Sequence, residues 1–403
     1  MEIIEVTNEV NNVRFHSINM LVNKGNPHYI RPLDDDINSI FKPSSNKYLK
    51  EGGKAKRWIL RDNYGKLAGR IAAFINPKYK NKGTDYKTGG IGFFDCTNSQ
   101  FNANMLFDTA KEWLRENGAE AMDGPINLGE RDKWWGLMVD GFDKPPAYGM
   151  SYNPSYYQSL FEGYGFKNFY NQYYFTMAVD KPFNQKVIER HARFKAKPEY
   201  SARHAELKNI SKYATDFATV YNAAWAQHGE GKEISEKEVK KMFKQLKPIM
   251  DERLVWFAYY KEEPIALFVN IPDLNEYFKH FNGKFGIIEK IRLLWMKRKG
   301  VCKKATGLAF GVVPKFQSLG IDSFIIQETG LHIQGKGWYE GYEMGWSGDW
   351  NPRILNLYKG INAVQSRQMV TYRYIFDENK HPFERHPVME YGKHASESKE
   401  VSQ

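Results

Sequence analysis

The sequence predicts an α/β protein of two tandem domains, each a mixed β-sheet flanked by helices. Three observations predict it. The chain has 403 residues, too many for one ordinary core and suited to two domains of roughly 180 residues each. A strand–turn–strand pattern, KRWILRDNYGKLAGRIAAFIN at 56–76, returns as LVWFAYYKEEPIALFVN at 254–270, with Trp58 and Trp256 standing 198 residues apart. The same spacing lays Leu67 and Ala68 on Ile265 and Ala266, and SLFEGYGF (159–166) matches LNLYKGI (355–361) with Phe161 and Tyr358 197 residues apart. Unrelated hairpins have no reason to hold one spacing over so long a stretch.

Each half reads in the same order. In the first, a strand at 2–6 precedes helices within 10–50 and the hairpin at 56–76, whose β-branched and aromatic residues alternate with polar ones. A strand at 90–96, a helix at 99–117 stopped by Gly118, a short strand at 119–123, a helix at 154–163 and a last strand at 168–179 complete it. The second half repeats this: a strand at 201–208, helices at 210–227 and 235–247, the hairpin at 254–271, a strand at 306–313, a helix at 320–334, a strand at 338–345, a helix at 350–359 and a strand at 364–376. The predicted domains are 1–180 and 201–377, joined by a linker at 181–200. The polar, Ser/Glu/Lys-rich tail at 378–403 is expected to be disordered.

Composition narrows the class. With 42% hydrophobic and 15% aromatic residues the chain fills two cores. Cys96 and Cys302 are too far apart in sequence for a CxxC pair and read as buried thiols of a reducing compartment. The N-terminus, MEIIEVTNEV, lacks the basic-then-apolar order of a signal peptide, and no apolar stretch reaches the ~20 residues of a membrane span. A cytoplasmic protein is expected, with peripheral contact at the inner membrane left open. The formal net charge of +11 favours an anionic partner without choosing one.

Residues 312–322 read VVPKFQSLGID, a strand end, a glycine turn and a helix start. Unpaired N–H groups converge at such a start, the dipole favours negative charge, and glycine allows close approach by a phosphate. Gln317, Ser318, Leu319, Gly320 and Ile321 fall in the [Gln/Arg]-x-x-Gly-x-[Gly/Ala] pattern, and Asn351 with Leu357-Tyr358-Lys359-Gly360-Ile361 falls in an Asn…Leu-Tyr-x-x-Gly-Phe pattern. Together with the element order these resemble the GNAT superfamily of acyl-CoA N-acyltransferases. The resemblance implies that the loop holds the diphosphate of acyl-CoA, acetyl or longer, without a metal. It also implies that a backbone N–H near Val312 and Val313 polarises the thioester carbonyl. Asp322 departs from the pattern, standing where a small residue is usual. Tyr358 is the implied general acid, a phenol that stays protonated at neutral pH and can meet the departing thiolate. The first half carries Phe161 there, and its strand–helix junction FFDCTNSQFNANML (93–106) has no glycine. It is expected to bind no CoA.

Glu343, just before the catalytic helix, is the first choice of base, with His228 and Glu230 expected along an acceptor channel. Trp346, Tyr152, Asn153, Trp134 and Trp135 are expected to wall the acceptor pocket. At 279–304, Ile287, Ile291, Leu294 and Trp295 share one helical face among Lys290, Lys297, Arg298, Lys299, Lys303 and Lys304. Segment 286–300 suits a membrane surface, or equally a packed surface helix, and nucleic acid is disfavoured as a partner. The DGP segment (123–125), the NPSYY…GYGF run (153–166) and the E-x-x-W pattern of Glu343 and Trp346 resemble a bacterial tandem-GNAT family similar to the bacterial ceramide synthases. That resemblance implies transfer to a lipid, sphingoid-type amine. A Fem-like aminoacyltransferase using aminoacyl-tRNA and a non-catalytic binding protein of the same fold remain the alternatives.

Overall fold

A computed structural model of the chain describes residues 1–80, 84–129, 131, 133–225 and 233–389. The first half runs β1 (Glu2–Glu5), α1 (Glu9–Val22), α2 (Asp34–Ile40), α3 (Lys47–Lys50), β2 (Lys54–Arg61), β3 (Leu67–Ile75), β4 (Thr88–Cys96), α4 (Gln100–Glu116), β5 (Ala121–Gly124), β6 (Leu137–Asp140), α5 (Tyr157–Tyr164) and β7 (Lys167–Ala178). The second runs α6 (Gln185–Lys195), β8 (Tyr200–His204), α7 (Ile210–Trp225), α8 (Glu236–Leu246), β9 (Val255–Tyr260), β10 (Glu263–Pro272), α9 (Asn275–Phe278), α10 (Ile287–Arg298), β11 (Lys304–Val312), α11 (Ile321–Ile333), β12 (Gly341–Glu343), β13 (Ser347–Gly348), α12 (Pro352–Gly360) and β14 (Val364–Ile375).

Local chemistry sets the helix starts. Asn8, Ser99, Asn184, Ser235 and Asn351 each accept a first-turn N–H with the side chain, satisfying one donor that a helix leaves unpaired. Two expected features differ. The linker holds a helix, α6, which packs along α11 through Val187 and Phe194. The tail is ordered over 378–389: the His386 N–H donates to Phe169 O at 3.0 Å and the Met389 N–H to Trp350 O at 2.8 Å. Residues 390–403 lie outside the described residues.

The strands form one mixed sheet in the order β1-β2-β3-β4-β5-β14-β7-β12-β11-β10-β9-β8, with β6 on β14 and β13 on β7. The two expected sheets are therefore continuous. Each half was expected to close on its own last strand. Instead β14 pairs antiparallel with β5 of the first half, β7 pairs with β12 of the second, and the two long strands pair with each other. A bidentate ion pair fixes one exchanged strand: Arg373 of β14 reaches both oxygens of Asp123 on β5 at 2.7 and 2.8 Å, with neither side chain more than 2% exposed.

Helices cover both faces. In the first half, Phe107, Leu114 and Phe161 of α4 and α5 meet Trp58 and Leu60, while Phe15 and Ile18 of α1 meet Ile59 and Phe74 from the other side. In the second, Phe324 and Ile325 of α11 meet Trp256 and Ala266, and Phe217 and Phe243 of α7 and α8 meet Phe257 and Leu267. Alternate residues of one strand thus feed opposite cores.

Candidate functional site

In each half the fourth and fifth strands start parallel and then part. β11 pairs with β12 only from Lys304↔Gly341 to Thr306↔Glu343. Beyond that point the two chains splay. Gly307 stands at the fork, where a Cβ would lie 2.7 Å from Tyr342 Oη, so glycine lets that phenol cross. Tyr342 Oη donates to Asn270 Oδ1 at 2.7 Å.

A channel of about 1610 Å³ opens at this fork. Leu308, Ala309 and Phe310 of β11 line one side, and Met344, Gly345, Trp346 and Ser347 the other. Ile326, Leu357 and Tyr358 reach it from the α11–α12 face, and Tyr221 and Glu238 from the α7–α8 face. The channel therefore passes through the sheet. Asn76, Tyr79, Gly129 and Trp135 of the first half wall it as well, so it also lies between the halves. Its volume exceeds the ~300–1,000 Å³ of ordinary small-molecule pockets. With β12 turned away, alternate N–H groups of residues 307–310 face the gap.

Tyr358 lies on this wall. Ser347 Oγ donates to its phenol oxygen at 3.4 Å, and the phenol faces Gly345 O at 3.3 Å. Burial raises its pKa, with the Ser347 hydrogen bond acting the other way. The phenol is thus held protonated, with a donor ready for the phenolate it would become.

The glycine loop sits at the far end of β11. Gly320 takes φ +102° as the N-cap of α11, and Ser318 takes φ +64°. Two arginines outside the sequence motif attend it. Arg353 donates to Gln317 Oε1 at 2.9 Å and to Ser318 Oγ at 3.2 Å, while Arg190 of α6 packs over Gly320 and reaches Ser323 Oγ at 3.5 Å. Asp322 turns back on its own helix, its Oδ1 accepting the Ser323 N–H at 2.8 Å. Leu319 is 50% exposed, Ile321 is buried, and the loop stands beside the channel without lining it.

Several expected residues sit elsewhere. The Val313 N–H is spent on Ile265 O at 2.9 Å and so turns toward β10, while Val312, one residue earlier, turns its backbone to the other side, where its carbonyl accepts from Gln317 Nε2 at 3.0 Å. Glu343 points away from the channel that Tyr342 and Met344 line, as strand alternation requires; its Oε1 accepts from Ser366 Oγ at 2.8 Å and lies 3.6 Å from Arg367 Nε. Tyr152 is buried on Phe142 O and Asn26, and Asn153 bonds both the N–H and the carbonyl of Met138. Trp134 packs on Phe93. Trp346 and Trp135 do reach the channel, Trp346 Nε1 donating to Arg131 O at 2.8 Å across the halves. His228 and Glu230 lie outside the described residues.

The sister fork is closed. β4 and β5 pair from Thr88↔Ala121 to Gly90↔Asp123, and the chain then runs back so that the Ile126 N–H donates to Ile91 O at 2.7 Å. A Cβ on Gly92 would fall 1.7 Å from Ile126 O, and one on Gly90 2.5 Å from Ile126 Cδ1. The glycines exist to admit this plug. Phe161, facing Tyr358 in the repeat, is wholly buried among Phe94, Phe107 and Phe166.

Two solved structures share the fold. The chain superposes on a tandem GNAT protein from the clavulanic acid biosynthesis pathway with a TM-score of 0.53, covering 93% of this chain and 98% of that one at 8% identity. It superposes on the GCN5-related glucosamine N-acetyltransferase region of a fungal multi-domain β-N-acetylglucosaminidase with a TM-score of 0.55 at 13% identity, over 93% of this chain but only 38% of that longer one. The fold is a tandem GNAT fold. No family model matches the chain. In sequence, the chain is similar to the bacterial ceramide synthase of Caulobacter vibrioides, 25% identical over 378 residues that cover 93% of this chain and 96% of that protein. It is also similar to protein YghO of Escherichia coli, 23% identical over 357 residues, 86% of this chain and 88% of that one.

Proposed function

We propose that the chain is an N-acyltransferase that moves an acyl group from acyl-CoA to an amine, and that the amine belongs to a sphingoid-type lipid. The observation that carries the reading is the open fork between β11 and β12 with Tyr358 on its wall, beside a sister fork plugged by Ile126. Likeness to a bacterial ceramide synthase along nearly its whole length supports the lipid acceptor. A channel larger than an ordinary pocket, walled by Phe310, Met344, Trp346 and Leu357, supports a long acyl chain.

In this reading the diphosphate rests at the N-terminus of α11, where Arg353 and Arg190 offset the Asp322 carboxylate. Edge N–H groups of β11 polarise the thioester carbonyl. The neutral amine attacks that carbon, the carbon–sulfur bond breaks, and Tyr358 gives its proton to the leaving sulfur while Ser347 steadies the phenolate. The amine's own proton passes to water at the channel mouth, not to Glu343, and a proton from water restores the Tyr358 phenol.

The test combines binding and turnover. Palmitoyl-CoA should raise the melting temperature of the wild-type chain, and Leu319→Glu, a change at an exposed position within the loop, should abolish that rise. Tyr358→Phe should keep the rise yet lower kcat for a sphingoid amine by roughly 10²–10⁴-fold. Unchanged turnover in Tyr358→Phe would remove the tyrosine from the chemistry. A wild-type chain that neither binds acyl-CoA nor turns over would favour the non-catalytic reading, which the carboxylate of Asp322 at the helix start also supports.

A further inference from the structure

Helix α10 turns its apolar side outward. Ile287, Ile288, Ile291, Leu294 and Trp295 are 78, 77, 64, 54 and 59% exposed. The inner side is held by Leu293 and Met296, which pack with Leu33, Tyr277, Phe278 and Phe281. At 100° per residue the five exposed side chains span a single arc of about 120°. Lys290 flanks one border of that arc, Arg292 and Lys299 the other, and Arg298 closes its end, whereas Lys297 turns inward and donates to Pro248 O and Met250 O, both at 2.9 Å. Between residues 284 and 304 there are eight Lys or Arg and one acid, Glu289, whose carboxylate is engaged by the Gly286 N–H at 2.8 Å.

We infer that α10 seats the protein on an anionic lipid bilayer, lying in the headgroup layer with Ile287, Ile288, Ile291, Leu294 and Trp295 inserted. The charge pattern chooses the occupant. A protein partner for an apolar stripe needs no cationic border on both sides, whereas a bilayer presents acyl chains under a sheet of phosphates. Twelve residues of helix are about 18 Å long, too short to cross, and among the described residues no helix is long and apolar enough to do so. The fold orients the result. α10 lies between β10 and β11, past the N-terminal end of β11, and the glycine loop lies past the other end, nine residues and about 30 Å away. With α10 on lipid, the loop stays in water. A lipid amine would then approach from the bilayer and a soluble acyl donor from the opposite end. The docking itself stands without the acyltransferase reading.

Co-sedimentation of the full chain with vesicles of equal parts phosphatidylglycerol and phosphatidylcholine tests it. Wild-type protein should sediment with them, and the double variant Ile288→Glu/Trp295→Glu should lose at least about tenfold in apparent affinity with an unchanged melting temperature. Lys290→Glu/Arg298→Glu, or wild type on pure phosphatidylcholine, should lose a comparable factor. Equal sedimentation of Ile288→Glu/Trp295→Glu and the wild type would overturn the inference. So would wild-type binding to single-stranded RNA with none to vesicles. Because vesicle binding is read without turnover, its failure is separate from failure of the catalytic proposal.

Discussion

At the scale of single residues, strand alternation decides which side chains reach the channel. Tyr342 and Met344 line the channel and Glu343 between them does not, so a one-residue offset turns a candidate base into an anchor for Ser366. Tyr358 was legible because its neighbours in sequence carry the pattern. Ser347, Arg190 and Arg353 were not, because their partners come from other elements. Asp273 is another residue that only the fold reveals. It is buried at 5% exposure beside α9, its Oδ1 accepts the N–H groups of Tyr148 and Asn275, both at 3.1 Å, and burial raises its pKa to about 6. The folded state thus holds its proton more tightly than the unfolded state, and stability falls as pH rises from near 4 to about 6. An asparagine keeps both acceptor bonds on the same oxygen without the charge. Asp273→Asn should therefore stabilise the protein by roughly 2 kcal/mol at pH 8 and by little below pH ~4, as read by urea melts at the two pH values.

At the scale of elements, the hairpins, the glycine loop and the order of strands and helices follow from periodicity, caps and the internal repeat. Which strand lies beside which does not. β7 and β14 are long, half-apolar strands, and nothing in their alternation says whether β5 or β12 will be the neighbour. The choice is made by contacts between the halves, above all Arg373 with Asp123, assisted by Thr84 and Tyr86 on the guanidinium and Tyr79 on the carboxylate. Removing one partner strands a buried charge. Arg373→Leu should cost about 3–5 kcal/mol in chemical denaturation, and adding Asp123→Leu should return part of that loss. If the single and double variants are equally unstable, the ion pair is not what secures the exchanged strand.

At the scale of the molecule, the tandem division read from the sequence describes the order of elements, whereas the sheet ties them into one body. The second half alone, 181–403, lacks β7, leaving β12 and β14 without the strand that joins them. Unpaired edges of this kind seek a partner. On gel filtration the isolated fragment should run as a dimer or aggregate; a monomer that melts cooperatively would contradict the exchange as a structural requirement.

The strand order reads alike from either end: β1 answers β8, β5 answers β12, and the two central strands answer each other. Two identical subunits arranged about a twofold axis would draw the same diagram. Tethering such subunits into one polypeptide releases them from having to be the same. One subunit is then at liberty to fill its own cleft and serve as wall and scaffold, while its twin alone keeps a passage open.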